Sequence, residues 1–193
     1  MSSQLKMYWF TDSPLKELTL PEGYSFSHYK GPEDIHIWNE CTKSQGDTTP
    51  EEARFKQEIF DFKDIVPEED VWFLDYNGEH IGTATSFIWG GTNVGDMHWV
   101  GIRPDFRGKG LSKYLSWIIQ KTLRDRGAEY VSLTTSEGRK TAVKCYLSAG
   151  FLPVEYAEGM VSRWEAVLDM FGIDSVQMLN EDATPFKTIY RKK

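Results

Sequence analysis

Asn77-Gly78 stands between two β-rich runs, Val71-Trp72-Phe73-Leu74-Asp75-Tyr76 and Ile81-Gly82-Thr83-Ala84-Thr85-Ser86-Phe87-Ile88. A two-residue turn that matches the twist of its flanking strands needs positive φ at both positions, and Asn-Gly supplies it. An antiparallel hairpin is expected here, so a purely parallel sheet is excluded. Upstream, Tyr24, Phe26 and His28 alternate against Ser25, Ser27 and Tyr29, a strand entered through the Pro21-Glu22-Gly23 turn. Two helices should follow. The first starts near Pro32, and the second has Thr49 as N-cap with Pro50, Glu51 and Glu52 in its first turn.

Beyond the hairpin, Asp96 to Ile102 reads as a strand ended by Pro104 and followed by Phe106-Arg107-Gly108-Lys109-Gly110. Leu111, Tyr114, Leu115, Ile118, Thr122 and Leu123 then recur at helical spacing, and Gly127 supplies a stop. Tyr130 to Thr134 is the next strand, followed by a helix bearing Ala142, Tyr146 and Ala149 that ends at Gly150. Ser162-Arg163-Trp164-Glu165 fits a capping box for a further helix with Trp164, Val167, Leu168 and Phe171 on one stripe. The 193 residues are expected to form one domain, with a core over about 22–155 and an extension from about 160 to 193.

Composition narrows the partners. Twenty-nine acidic residues against 22 Lys and Arg leave a net charge of -7, so nucleic-acid binding would need a local basic stripe. Aromatic residues make 14% of the chain, which argues against disorder. The longest uncharged stretch, Ile81 to Gly95, is too short and too rich in Gly and Thr to cross a membrane, and no apolar signal segment opens the chain. Cys41 and Cys145 lie far apart with no CxxC pair and no adjacent His, so no metal site is expected, and unpaired thiols in a reducing cytoplasm are. Small molecules or proteins are therefore the expected partners.

The chemistry points to the loop after Ile102. A strand that ends in a short glycine-bearing loop and runs into a helix aims several amides at one point, where the helix dipole favours an anion. Gly108 and Gly110 have no side chain to block the approach, Ser112 is small, and Arg103, Arg107, Lys109 and Lys113 form the densest positive cluster in the chain. A tight turn alone would also use two glycines. The spacing is not that of a P-loop, which needs GxxxxGK before Ser or Thr, nor of a dinucleotide fingerprint, because Lys113 occupies the third glycine position.

Ile102-Arg103-Pro104-Asp105-Phe106-Arg107-Gly108-Lys109-Gly110-Leu111-Ser112 resembles the acetyl-CoA pyrophosphate loop of the GNAT acetyltransferases, V-x-P-x-x-R-G-x-G-x-G/A. Thirty residues on, Ala142-Val143-Lys144-Cys145-Tyr146-Leu147-Ser148-Ala149-Gly150-Phe151 resembles the family's N-x-x-A-x-x-L-Y-x-x-x-G-F segment. The resemblance spans about residues 22–155. Asp105, Arg139 and Cys145 depart from it, where Gln or Arg, Asn, and Leu are common. It implies an α/β (α+β) GNAT fold, a mixed, mostly antiparallel twisted sheet flanked by helices, with a C-terminal helical extension. It also implies acetyl-CoA as cosubstrate, held by Val100, Ile102, Arg107, Gly108, Lys109, Gly110, Leu111, Ser112, Arg139, Ala142 and Tyr146.

Acetyl transfer to an amine needs a neutral amine, a donor for the carbonyl oxyanion and a proton for the departing thiolate. Asp96, His98, Val100 and Ile102 alternate and are expected on one face, where the acid and imidazole could drain a proton to water. In GNAT relatives this strand supplies the base. The resemblance assigns the oxyanion donor to the Val100 amide at a bulge that Gly101 would ease, and thiolate protonation to Tyr146. His98 packing in the sheet, Asp96 capping the strand in solvent, and Tyr146 serving as a core residue are the plainer readings beside these. The expected activity is direct attack by a primary amine of a small molecule or peptide. The alternative is a non-catalytic acyl-CoA-binding module. The extension is expected to wall the acceptor site or to make a homodimer contact.

Overall fold

The computed structural model describes residues 4–44 and 46–192. In chain order its elements are strands β1 (Leu5–Phe10) and β2 (Tyr24–His28), helix α1 (Asp34–Thr42), and helix α2 (Glu51–Phe55), which runs into a π-helical turn (Lys56–Phe60). Helix α3 (Pro67–Asp70) precedes strands β3 (Val71–Tyr76), β4 (Glu79–Ile88) and β5 (Val94–Ile102), a 3-10 turn (Pro104–Phe106) and helix α4 (Ser112–Asp125). Strand β6 (Tyr130–Thr135), helix α5 (Lys140–Ser148), strand β7 (Leu152–Glu155), helix α6 (Met160–Phe171) and strands β8 (Ser175–Asn180) and β9 (Pro185–Tyr190) complete it. These fall into two compact units, one of residues 14–129 and one joining the residues up to 13 with those from 130 onward.

In the unit of residues 14–129 the sheet order is β2-β3-β4-β5, antiparallel throughout. The expected hairpin is present, with Asn77 at φ 49 and Gly78 at φ 86. Helices α1 and α4 both pack on β4 and β5, from opposite faces. A methyl group at Gly101 would meet the Cys41 carbonyl on the α1 side, whereas methyl groups at Gly82 and Gly95 would meet Leu115 and Leu123 of α4. On the α1 face, Tyr29, Ile35, Trp38, Phe55, Ile59, Val71, Phe73 and Phe87 make the core. On the other, Leu115, Ile119 and Leu123 are fully buried, so the inward stripe of α4 runs through Ile119 rather than the expected Ile118.

The second unit has the order β6-β1-β7-β8-β9. Strand β1 is antiparallel to β6 and β7, β8 is parallel to β7, and β9 is antiparallel to β8. A parallel neighbour needs a crossover, and α6 supplies it. The extension therefore carries the expected helix and, in addition, a hairpin of two strands.

Two expected caps fall elsewhere. The Thr49 amide donates to Asp47 Oδ1 at 2.9 Å, which holds that residue in a turn and leaves Pro50 as the N-cap of α2. Helix α6 starts at Met160 after Gly159 in the left-handed region, and the Ser162 hydroxyl donates back to the Gly159 carbonyl at 2.9 Å instead of capping. Cys41 and Cys145 are both free thiols. Among the described residues no helix is long and apolar enough to cross a membrane.

Candidate functional site

Strand β5 changes face halfway along. Thr85 pairs with His98 and Thr83 with Gly101, so Ala84 stands opposite both Trp99 and Val100, a bulge with Trp99 at φ 45. Asp96 and His98 lie on the α1 face before the bulge, and Trp99 and Gly101 lie on it after. Ile102, whose Cδ1 reaches toward Gly82 on the α4 side, has switched, and Val100 goes with it by alternation. The single face expected for Asp96, His98, Val100 and Ile102 is thereby corrected to two. The bulge expected at Val100 is present, but the positive φ falls on Trp99, not on Gly101.

His98 sits among rings, with Phe62, Trp99 and Phe87 centroids at 5.2, 5.7 and 6.0 Å. Burial lowers its pKa from 6.5 to about 4, opposed by a hydrogen bond to the Glu58 backbone. The native imidazole is therefore neutral near pH 7, and it is a weaker proton acceptor than an ordinary histidine. Asp96 accepts the Trp89 indole N–H at 3.3 Å, and the Glu58 carboxylate accepts that of Trp99 at 3.1 Å. Glu58 lies in the π-helical turn, a form that recurs at functional sites.

After the 3-10 turn, Gly108 and Gly110 take φ 78 and 70, with open space where a Cβ would be. Helix α4 then starts at Ser112 with no side-chain cap on its N-terminus and no acid in its first turn. Its first-turn cation, Lys113, is unfavourably placed against the positive end of the dipole unless an anion lies there. Arg107 Nε donates to the Ile102 carbonyl at 2.8 Å, and Lys109 Nζ lies 4.4 Å from the Phe106 ring centre. Arg103 is committed otherwise: its guanidinium pairs with Asp105 at 2.8 Å and approaches Glu40 and Glu79 at 3.8 and 3.9 Å. The cations that remain for an anion are Arg107, Lys109 and Lys113. An uncapped helix start behind two open glycines and these side chains can hold a phosphate group.

In the second unit, Arg139 is the N-cap residue of α5, Ala142 is half-buried and Tyr146 is buried. Burial pushes the Tyr146 phenol above its ordinary value, with Cys145 adding to the rise, so it is protonated at neutral pH. Glu137, just before α5, is ion-paired with Arg163 of α6. Among the described residues no group of three or more His, Cys, Asp or Glu is placed to hold a metal ion.

Glu58, Phe62 and Thr85 border this site without a sequence signal. Trp89 and Trp99 are conspicuous in the sequence, but nothing there separates them from core residues.

Comparison with known proteins gives the family and the fold. The Acetyltransferase (GNAT) family matches residues 33–151, and the chain belongs to that family. A mycothiol acetyltransferase from Thermomonospora curvata is 29% identical over 143 residues, covering 72% of this chain and 48% of its own length. The chain thus spans about half the length of the curated relatives it matches. Among solved structures, a GCN5-related N-acetyltransferase from Sphaerobacter thermophilus superposes with a TM-score of 0.60 at 20% identity, over 77% of this chain and 47% of that one. An aminoglycoside N-acetyltransferase in complex with CoA gives 0.51 at 19%, over 72% and 94%. Both share the fold, which is the expected mixed sheet flanked by helices.

Proposed function

We propose that this chain is an acetyl-CoA-dependent N-acetyltransferase acting on a primary amine by direct attack in a ternary complex. The observation that carries the reading is the uncapped, basic start of α4 behind Gly108 and Gly110, which suits the cosubstrate's pyrophosphate. The amides from Arg107 to Ser112 would hold that group, and the Val100 amide at the bulge would receive the carbonyl oxyanion, with Ile102 beside it. The family's roles carried to Arg139 and Ala142 are contacts to the cosubstrate, and that carried to Tyr146 is protonation of the thiolate. In the reaction the amine lone pair forms a C–N bond, the C–S bond breaks, and the proton lost by nitrogen is gained by sulfur. Names of the curated relatives, which pair the activity with mycothiol, favour a small-molecule acceptor over a protein. The CoA-bound neighbour is consistent with the cosubstrate.

The test is release of free thiol from acetyl-CoA over a panel of amines, with calorimetric binding of acetyl-CoA measured in parallel. Binding with amine-dependent thiol release supports the enzyme. Binding with no release over the whole panel would make the chain a non-catalytic acyl-CoA-binding module, and no binding would end the reading.

A further inference from the structure

Thr85 Oγ1 and His98 Nε2 are buried and have no hydrogen-bond partner among the described residues. The two are direct cross-strand partners, so their side chains share one sheet face with Cβ atoms about 5 Å apart. Thr85 is 0% exposed. An unpaired buried polar group costs about 1–3 kcal/mol, and valine would fill the same space without that cost. Two such groups side by side, next to the bulge that presents Val100, point to a ligand that satisfies both.

The imidazole's hydrogen bond to the Glu58 backbone leaves Nε2 as the nitrogen with a lone pair to offer. The charged groups nearby are engaged elsewhere. Glu58 accepts from Trp99, Asp96 accepts from Trp89, and the Arg54 guanidinium stacks on the Trp99 ring at 4.5 Å and pairs with Asp47 at 3.2 Å. Aromatic rings surround the imidazole, tilted or edge-on to it, and Phe62 approaches it from the irregular segment between the π-helical turn and α3.

Resting on the acetyltransferase reading, we propose that His98 Nε2 and Thr85 Oγ1 seat the acceptor's amino group as its free base, each accepting one of its two N–H bonds, with Phe62 moving to admit it. Two acceptors use both N–H bonds of a neutral primary amine and leave its lone pair for attack. An ammonium has a third N–H and a charge that this ring-lined site does not solvate. The depressed basicity of His98 agrees with a hydrogen-bond acceptor rather than a proton sink. The substrate class follows from availability. An amine that titrates near the α-amino value of about 7.7–8.0 is roughly one-tenth to one-sixth free base at about pH 7, whereas one near the lysine value of about 10.4 is only about one part in 2,500 free base. The site therefore selects weakly basic primary amines, such as those α to a carbonyl group.

Thr85→Val tests the pair. It should raise the melting temperature and leave acetyl-CoA affinity unchanged by calorimetry, yet lower kcat/KM for amino-acid amides about ten- to a hundredfold. Thr85→Ser should recover most of that loss. Wild type should prefer amino-acid amides to simple alkylamines at neutral pH, and glycinamide should shift the His98 Nε2 resonance in protein labelled with nitrogen-15 histidine. Turnover indifferent to Thr85→Val, or a preference for alkylamines, would overturn this inference and leave the acetyltransferase reading standing. Failure of wild type to bind acetyl-CoA would overturn both.

Discussion

A methyl group on Gly101 would stand 2.3 Å from the carbonyl oxygen of Cys41, closer than any real contact. The glycine is needed because the end of α1 crosses β5 backbone against backbone just past the bulge. Backbone cannot give way as a flexible side chain can, so Gly101→Ala must push α1 off the strand that carries Val100 and His98. Overpacking of this kind costs about 1–3 kcal/mol, which for a chain this long lowers Tm by several degrees. Acetyl transfer should fall as well, more than the unfolded fraction accounts for. Unchanged Tm and activity by thermal melting and thiol release would show that α1 is not held there.

Gly110 offers a cleaner separation of fold from binding. Nothing lies within 4 Å of its would-be Cβ, and its φ of 70 is the local obstacle to a side chain. Gly110→Glu therefore carries a backbone cost of about 1–2 kcal/mol while placing a carboxylate where the pyrophosphate is expected. Acetyl-CoA at about 100 times its Kd should stabilise the native chain by about 2.7 kcal/mol, read as a rise in Tm, and the variant should lose that rise. Retention of the full shift would remove the loop from the cosubstrate site.

These two glycine positions show what a sequence reveals. The hairpin and the loop were legible because Asn77-Gly78, Gly108 and Gly110 carry positive φ on residue types that advertise it. The bulge lies at Val100 as expected, but its positive φ sits on Trp99, a residue type that normally avoids that region, and the one extra residue turns the strict alternation from Asp96 to Ile102 into two faces, which the sequence does not advertise. Strand β1 was missed because Met7, Tyr8 and Trp9 are all buried, an unbroken apolar run with no period-2 pattern. Strands β8 and β9 gave no motif, since β9 is mostly exposed along its length. Thr85 looks like any β-branched strand residue, and only its missing partner marks it.

Tyr146→Phe removes the phenol hydrogen and keeps the ring, which lies 6.0 Å from Phe151. Because burial holds the phenol protonated, the tyrosine is in the form a proton donor needs. Single-turnover acetyl transfer should slow by about ten- to a thousandfold, with the fold and Tm little changed. An equal single-turnover rate would return Tyr146 to a purely packing role.

Two histidines in residues 14–129 make stability respond to pH in opposite directions. His98 is neutral in the native chain, with its pKa lowered from 6.5 to about 4 by burial. Between those values the unfolded chain binds the extra proton, so stability falls as pH drops from about 6.5 to about 4, by up to about 3 kcal/mol. His80 is held between Asp75, on its Nδ1, and Asp34, 3.3 Å from its Nε2, and the hydrogen bond that its Nδ1–H donates to the Asp75 carboxylate raises its pKa above 6.5 despite burial. Its contribution is complete below 6.5 and is lost as pH rises through the raised value. Urea unfolding across about pH 4–9 separates the two. His98→Gln should flatten the acid side of the profile, and His80→Gln should lower stability at acid pH and flatten the side above 6.5. A wild-type-minus-His98→Gln difference that does not change between about pH 4 and 6.5 would show that the imidazole is not neutral in the native chain.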